Sequence, residues 1–268
     1  MCKKMQPNGT ERHHTCIESP NWLGRLNKQD EKMRTTIILT MFIASLAYAD
    51  WGDFREERQL ELSAQGVTGI DVESHAGSLT VTGRAGSDSV VVTAIIDVPG
   101  HSDEQAKKLI ANDLILTLEK EGDKAILRGY FEEGNWDWGD SPHVRLEVSI
   151  PGDFNLKIDD SSGSITVSDV AGDIDIDDSS GSIDMDDVGG VITIVDSSGS
   201  ISVKGAGGDV SIEDGSGSIK VRNVAGSVTI DDGSGSISVK NVDQNLTILA
   251  DGSGSVKYSN IAGVVDLD

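Results

Sequence analysis

Residues 160–165 read Asp-Ser-Ser-Gly-Ser-Ile, and five close copies of this stretch follow it along the chain. The copies occupy residues 178–183, 196–201, 214–219, 232–237 and 251–256. Their marker glycines, Gly163, Gly181, Gly199, Gly217, Gly235 and Gly254, are 18, 18, 18, 18 and 19 residues apart. A short fixed period is typical of stacked structural units, so residues 152–268 predict a repeat fold.

Each repeat contains two stretches in which aliphatic and polar residues alternate. Counted from the marker glycine, positions 2 and 4 are aliphatic, as in Ile201 and Val203, and so are positions 11 and 13, as in Val210 and Ile212. This alternation is typical of strands with one buried face. The sequence therefore predicts an all-β fold, a single-stranded β-solenoid with 18-residue coils about 4.8 Å apart. No feature of the sequence fixes the hand of the solenoid, and we take right-handed winding as the expectation.

The first 49 residues do not share this pattern. Met33 and Arg34 precede an apolar run at 37–46 and then Ala47-Tyr48-Ala49. A charged start, a short apolar run and an A-x-A site predict a signal peptide at 33–49, cleaved after Ala49. We interpret residues 1–32 as a spurious or disordered extension ahead of a true start at Met33. The protein is therefore predicted to be exported to the periplasm or the cell exterior.

Composition narrows the classes of partner. The 268-residue chain has 45 acidic and 22 basic residues, for a net charge of −23. Such a charge argues against binding to nucleic acid or anionic lipid. The two cysteines, Cys2 and Cys16, both precede the predicted cleavage site, and the apolar run at 37–46 is too short to span a membrane. We expect no transmembrane segment in the mature chain.

Residues 50–151 are predicted to form a β-rich cap on the N-terminal end of the repeats. Residues 70–81 follow the spacing of the later coils around Gly77 and indicate an early, degenerate coil. Ser102 and Gln105 form a capping box for one short helix. Residues 114–120 and 124–131 predict a hairpin, and residues 144–150 predict a strand that leads into the repeats.

The chain repeats two motifs, Ser-Gly-Ser-Ile-x-Val and Val-x-Gly-x-Ile/Val-x-Ile, and an irregular β-rich region precedes them. This combination resembles a known family. Residues 60–268 are similar to DUF4097, a family of exported bacterial proteins with β-strand repeats that carry the name "putative adhesin". The resemblance implies contact with a surface and brings no catalytic residues to this chain.

An aspartate precedes each marker glycine by three residues and forms the first candidate site. Two interpretations fit this column. Each carboxylate could accept a backbone N–H two residues on, as in an Asx-turn, or the column could bind Ca²⁺ between coils. In calcium-binding rolls with nonapeptide repeats the aspartate follows the glycines, which argues against that class here. The candidate metal ligands are Asp160, Asp178, Asp196, Asp214, Asp232 and Asp251.

Three further groups of residues are candidates for binding. Lys204, Arg222 and Lys240 share position 5 of neighbouring coils and form either a solvated stripe or a grip for an anionic glycan. The asparagines at position 6, Asn223, Asn241 and Asn260, predict an amide ladder along the stack. Trp136 and Trp138, in an acidic loop at 134–140, either contact a partner or carbohydrate or fold over the cap.

The sequence after residue 49 contains no nucleophile elbow, phosphate loop, dinucleotide motif or metal-type histidine pair. We therefore predict a non-enzymatic, exported adhesive or structural module of the bacterial envelope. Its partner would be an envelope protein or a glycan, with end-to-end self-association as a further expectation. Two alternatives are a calcium-dependent binding module and a carbohydrate-active enzyme that uses Asp173, Asp175, Asp184 and Asp186. No cofactor other than calcium is expected.

Overall fold

The computed structural model of the chain describes residues 53–132, 134 and 141–267. The elements that precede the repeats are β1 (Asp53–Ser63), β2 (Gly69–Ala76), β3 (Leu79–Arg84), β4 (Ser89–Pro99), α1 (Asp103–Asp113), β5 (Leu114–Glu121), β6 (Lys124–Phe131) and β7 (His143–Pro151). The repeats contain β8 (Asn155–Ser168), β9 (Ile174–Asp178), β10 (Gly181–Val188), β11 (Ile192–Asp196), β12 (Gly199–Ala206), β13 (Val210–Asp214), β14 (Gly217–Val224), β15 (Val228–Asp232), β16 (Gly235–Val242), β17 (Leu246–Ala250), β18 (Gly254–Ile261) and β19 (Val265–Leu267).

Each repeat contributes one strand to each of two parallel sheets. Sheet A contains the strands that start at the marker glycines, and β10, β12, β14, β16 and β18 lie side by side in it. Sheet B contains the shorter strands, with β9, β11, β13, β15, β17 and β19 in order. The long strand β8 turns the corner and pairs in both sheets. The chain therefore winds from sheet B to sheet A and back once per repeat.

The register of the strands follows the sequence period. Ile201 lies opposite Ile183 on one side and Ile219 on the other, so equivalent residues of successive coils form columns. The inward positions hold mostly Val and Ile, which favour the extended backbone and pack well on a pleated surface. Their side chains are almost completely buried between the two sheets. The predicted all-β solenoid with 18-residue coils is confirmed.

One register irregularity occurs near the end of the stack. The spacing from Gly235 to Gly254 is 19 residues, and the pairing of β15 with β17 shifts between Ile230 and Asp231. Beyond it, the inward-facing Tyr258 and Leu267 of the last coil are about half exposed, at 48% and 46%.

The N-terminal region extends the same stack and then closes it. The strands β2 and β3 form an early coil, in which Ile70 lies opposite Leu156 and Leu79 opposite Ile165. On the far side of this coil, β6 pairs in parallel with β2, and β7 pairs in parallel with β3. They are followed by antiparallel partners, with β5 on β6, β4 on β7 and β1 on β4.

The helix α1 is the short helix that the sequence predicts, and the Ser102–Gln105 capping box is present at its start. It packs Ala106 and Ile110 into the core. Within the described ranges, no helix is both long enough and apolar enough to cross a membrane. The predicted extension at 1–32 and the predicted signal peptide at 33–49 lie outside the described residues.

Candidate functional site

The aspartate column is the first candidate site, and its side chains point into the core. In β9 the burial alternates so that Ile174, Ile176 and Asp178 all face inward. The same pattern recurs in β11, β13 and β15. The exposed fraction is 4% for Asp160, 1% for Asp178 and 0% for Asp232, with Asp196 and Asp214 between them. The column is therefore a buried row of carboxyl groups at one edge of the hydrophobic interior.

One oxygen of each buried carboxyl group is hydrogen bonded. Oδ1 of Asp178 accepts from the backbone N–H of Ser180 at 3.1 Å, and Asp196 accepts from Ser198 at 3.0 Å. The same bond from the serine two residues on is present at Asp214 and Asp232. These are the bonds of the Asx-turn, the first of the two interpretations of the column, and they fix the turn between the two sheets.

Asp160 differs from the rest of the column in its partner. Its Oδ1 accepts from the side-chain hydroxyl of Ser74 at 2.8 Å, a residue of the early coil. The column is thereby joined to the N-terminal region through one buried side-chain bond.

The second oxygen of each buried aspartate in the column has no partner among the described residues. This holds for Oδ2 of Asp160, Asp178, Asp196, Asp214 and Asp232. A charged carboxylate without full hydrogen bonding is strongly disfavoured in a dry interior. Burial therefore raises the pKa of Asp160 to about 7, and those of Asp178 and Asp214 to about 6. Burial also raises the pKa of Asp196 and of Asp232.

The column does not assemble a set of side chains typical of a calcium site. Ca²⁺ takes six to eight oxygen ligands, whereas the part of the chain that the structure describes contains no group of three or more His, Cys, Asp or Glu side chains suited to a metal. The sixth candidate, Asp251, follows the register irregularity and is only partly buried. Calcium binding at the six candidates stays a prediction.

The basic stripe lies on the outward face of sheet A. Arg222 is in register between Lys204 and Lys240 on neighbouring strands. Nζ of Lys204 contacts both carboxylate oxygens of Asp186 on β10, at 2.8 and 2.7 Å. All three cations are exposed, so the stripe is open to a partner.

The asparagines at position 6 form the predicted amide ladder. Nδ2 of Asn241 donates to Oδ1 of Asn223 at 2.8 Å, and Nδ2 of Asn260 donates to Oδ1 of Asn241 at 2.9 Å. All three residues have a left-handed backbone, with φ of 57–60°. Asn tolerates this conformation better than most residues, so the ladder and the turn geometry support each other.

The other candidates are not brought together as a site. Asp173 and Asp175 lie along the outer side of sheet B, whereas Asp184 and Asp186 lie along the outer side of sheet A. The solenoid interior separates the two pairs. Trp136 and Trp138 lie outside the described residues.

Two features were missed by the sequence analysis. The inward direction of the aspartate column follows from parity, since Asp178 is two residues after Ile176, which is itself two after Ile174. A second set of side chains accepts backbone N–H groups from the next coil on sheet B. Oδ1 of Asp173 accepts from Val191 at 2.9 Å, and Oδ1 of Asp209 accepts from Ser227 at 2.7 Å. The carboxylate of Asp173 thus links two neighbouring coils through a hydrogen bond.

Comparison with known proteins places this architecture in a family. A search of curated proteins finds no match to the chain. Among solved structures, a "putative lipid binding protein" from Parabacteroides distasonis is 14% identical, with 79% of this chain and 94% of that chain covered and a TM-score of 0.43. A "putative adhesin" from Bacteroides fragilis is 11% identical, with 80% and 97% covered and a TM-score of 0.41.

A "putative cell adhesion protein" from Clostridium sporogenes is 10% identical, with 80% of this chain and 99% of that chain covered and a TM-score of 0.35. The family model Toastrack DUF4097 matches residues 67–267, which include the early coil and all six repeats. The chain belongs to the DUF4097 family.

Proposed function

We propose that this protein is a non-enzymatic, exported β-solenoid that acts as an adhesive or structural binding module of the bacterial envelope. The observation that carries the proposal is the difference between the inward and the outward positions of each coil. Inward positions are fixed by packing, while outward positions on sheet A differ from coil to coil, as in Asp186, Lys204 and Arg222. A continuous parallel sheet with variable outward side chains suits binding to an extended partner, whereas small ligands prefer concave sites.

The chemistry of the interior also supports a role in binding. Strongly perturbed pKa values in an accessible cleft point to catalysis. In this chain the five aspartates with raised pKa values are at most 4% exposed. A substrate could not reach these carboxyl groups without unfolding the stack. Their perturbation is therefore a consequence of packing, and it supports the proposal that the chain is not an enzyme.

Export is the part of the proposal that the N-terminal sequence supports. We expect the mature protein to begin at Asp50, because Ala47 and Ala49 form the cleavage site. Mass spectrometry of the protein recovered from a bacterium that carries the gene measures this directly. A full-length chain that stays in the cytoplasm would remove the basis for an envelope role.

The adhesive or structural role is tested by deletion of the gene. We expect the deletion strain to attach less to surfaces or to tolerate envelope stress less well, and we expect the intact gene to restore both. Attachment assays and detergent sensitivity measure these properties. Unchanged attachment and unchanged robustness would contradict the proposed function.

Calcium-dependent binding is the second candidate function, and the unpartnered Oδ2 atoms of the aspartate column favour it. Thermal unfolding in calcium and in EDTA tests it. A large rise of the midpoint in calcium would support this function. An unchanged midpoint would leave the aspartates as turn residues, which is the result we expect because burial raises their pKa values and so favours the neutral carboxyl group.

A further inference from the structure

The outward face of sheet A changes its chemistry in the last four coils. We call this surface the basic face and define it by the outward residues at positions 1, 3 and 5 of β12, β14, β16 and β18, counted from each marker glycine. Every one of these residues is Ser, Lys or Arg: Ser200, Ser202, Lys204, Ser218, Lys220, Arg222, Ser236, Ser238, Lys240, Ser255, Lys257 and Ser259. No carboxylate and no apolar side chain occurs at these outward positions, on a chain whose net charge is −23.

Most of the cations on the basic face have no acidic neighbour. Lys204, at the edge of the face, pairs with Asp186 of the preceding coil. Among the described residues, no Asp or Glu lies within salt-bridge distance of Lys220, Arg222, Lys240 or Lys257. Four charges are therefore available for a partner from outside the chain.

The cations of the basic face are aligned on adjacent strands, and they repel one another unless an anion neutralises them. Lys204, Arg222 and Lys240 lie directly opposite one another on adjacent strands, about 4.8 Å apart. Like charges directly opposite one another on adjacent strands destabilise a sheet. An anionic group that sits between two coils would reverse the sign of this interaction.

The absence of outward apolar side chains decides which class of partner fits. Protein interfaces are built around buried aromatic and aliphatic residues, and the basic face has none. Its serine hydroxyl groups can donate and accept hydrogen bonds, which suits a hydrated ligand with many hydroxyl groups. Duplex nucleic acid fits less well, because its charges lie about 1.7 Å apart along the helix axis, which is closer than the spacing of the coils.

We propose that the basic face binds a linear anionic polysaccharide, with acidic groups of the polymer seated between neighbouring coils. This inference rests on the proposed function, since it names the class of partner that an envelope-binding module would hold. The polymer runs along the stack, so that each further coil adds one position for an acidic group.

Binding of polygalacturonate to the full chain, followed by calorimetry at low ionic strength, tests the inference. The variant carries Lys220→Ser, Arg222→Ser and Lys240→Ser, which copies the serine found at neighbouring outward positions. The matched control carries Lys107→Ser, Lys108→Ser and Lys157→Ser, which removes the same charge from α1 and the outer side of sheet B. We expect the variant to bind at least about tenfold more weakly, the control to bind like the parent, and affinity to fall with added salt.

Several results would overturn the inference. These are no binding of polygalacturonate by the parent chain, equal binding of neutral dextran, or an equal loss in the variant and the control. Tighter binding of single-stranded DNA or of phosphatidylglycerol vesicles would also overturn it, as would self-association that only the variant loses. If circular dichroism shows that the triple variant does not fold, Lys240→Glu alone takes its place in the same comparison.

Complementation separates this inference from the proposed function. If the triple variant restores attachment and envelope robustness to the deletion strain as fully as the parent gene, the basic face is not the binding surface and the envelope role stands. If deletion of the gene changes neither attachment nor envelope robustness, the proposed function is contradicted, whatever the polysaccharide-binding result.

Discussion

One glycine per coil controls how closely successive coils approach at the turn into sheet A. Gly199 has φ of 149°, and a Cβ atom at this position would overlap the backbone oxygen of Gly181 in the preceding coil. The same relation holds at Gly181 and Gly217. The neighbouring backbone is held by the ladder on both sides and cannot move away, so the glycine is required for contact between coils.

We expect Gly199→Ala to destabilise the fold severely, by roughly 3 kcal/mol or more, because the added methyl group must push two coils apart. Urea unfolding measures the change. Gly86→Ala is the control, since Gly86 also has a positive φ, of 74°, but no atom lies within 4 Å of its added Cβ. A similar loss in both variants would show that backbone conformation, and not the clash, determines the effect.

The buried aspartates predict an unusual dependence of stability on pH. Burial raises the pKa of Asp214 to about 6 in the folded protein, from an ordinary value of 3.8. A raised pKa means that the folded state holds its proton more tightly than the unfolded state. The stabilisation is therefore complete below about pH 4 and is lost as the pH rises through about 6. Asp160 extends this loss to about pH 7.

We expect Asp214→Asn to raise the free energy of unfolding at pH 8 by roughly 1–3 kcal/mol and to flatten its pH dependence between pH 4 and 7. The amide keeps an acceptor for the N–H of Ser216 and carries no charge to desolvate. Denaturant unfolding across this pH range measures both effects. Asp231→Asn removes the same charge from the exposed side of β15 and serves as the control. Equal gains in both variants would assign the effect to net charge.

At the scale of the elements, the turns after sheet A depend on position 6 of each coil. This position has a left-handed backbone in Asp169, Asp187, Gly205 and the three ladder asparagines. The residue types there are those that tolerate positive φ or hydrogen bond locally. The sequence alone indicated the ladder, whereas the hydrogen bonds between its members became visible only with the strands in register.

We expect Asn241→Ala to destabilise the protein by roughly 2 kcal/mol, because it removes two amide hydrogen bonds and places alanine at positive φ. Asn241→Gly should be milder, since glycine adopts this conformation freely and only the hydrogen bonds are lost. Thermal unfolding of both variants separates the two contributions. If glycine is as damaging as alanine, the lost amide hydrogen bonds account for most of the destabilisation.

At the scale of the whole molecule, the repeats make stability a property of neighbouring coils. Each coil pairs only with the coils before and after it, as β12 does with β10 and β14. In such stacks stability is approximately a sum of coil and interface contributions. The cap formed by β1, β4, β5, β6 and β7 closes one end of this array.

We expect deletion of residues 199–216 to leave a folded, shorter solenoid, because Ser198 then joins Gly217 and recreates the Ser-Gly turn in the correct phase. Deletion of residues 199–207 removes half a coil and should prevent folding of the repeats. The reason is that residues of sheet B would then occupy the strand positions of sheet A. Circular dichroism and unfolding midpoints measure both. A folded product from the half-coil deletion would contradict the stacking register.

The sequence by itself determined the solenoid, its coil length, the early coil around Gly77 and the capped helix, and it offered the Asx-turn as one of two interpretations of the aspartate column. Each of these depends on local alternation, turn chemistry or an exact repeat, which one chain displays directly. Only the tertiary structure decided that the aspartate column lies inside the core and that Asp173 caps the next coil. It also decided that the outward cations of four coils form one face. These properties depend on which face a residue takes and on contacts between residues 18 positions apart, and they exist only when the coils are stacked.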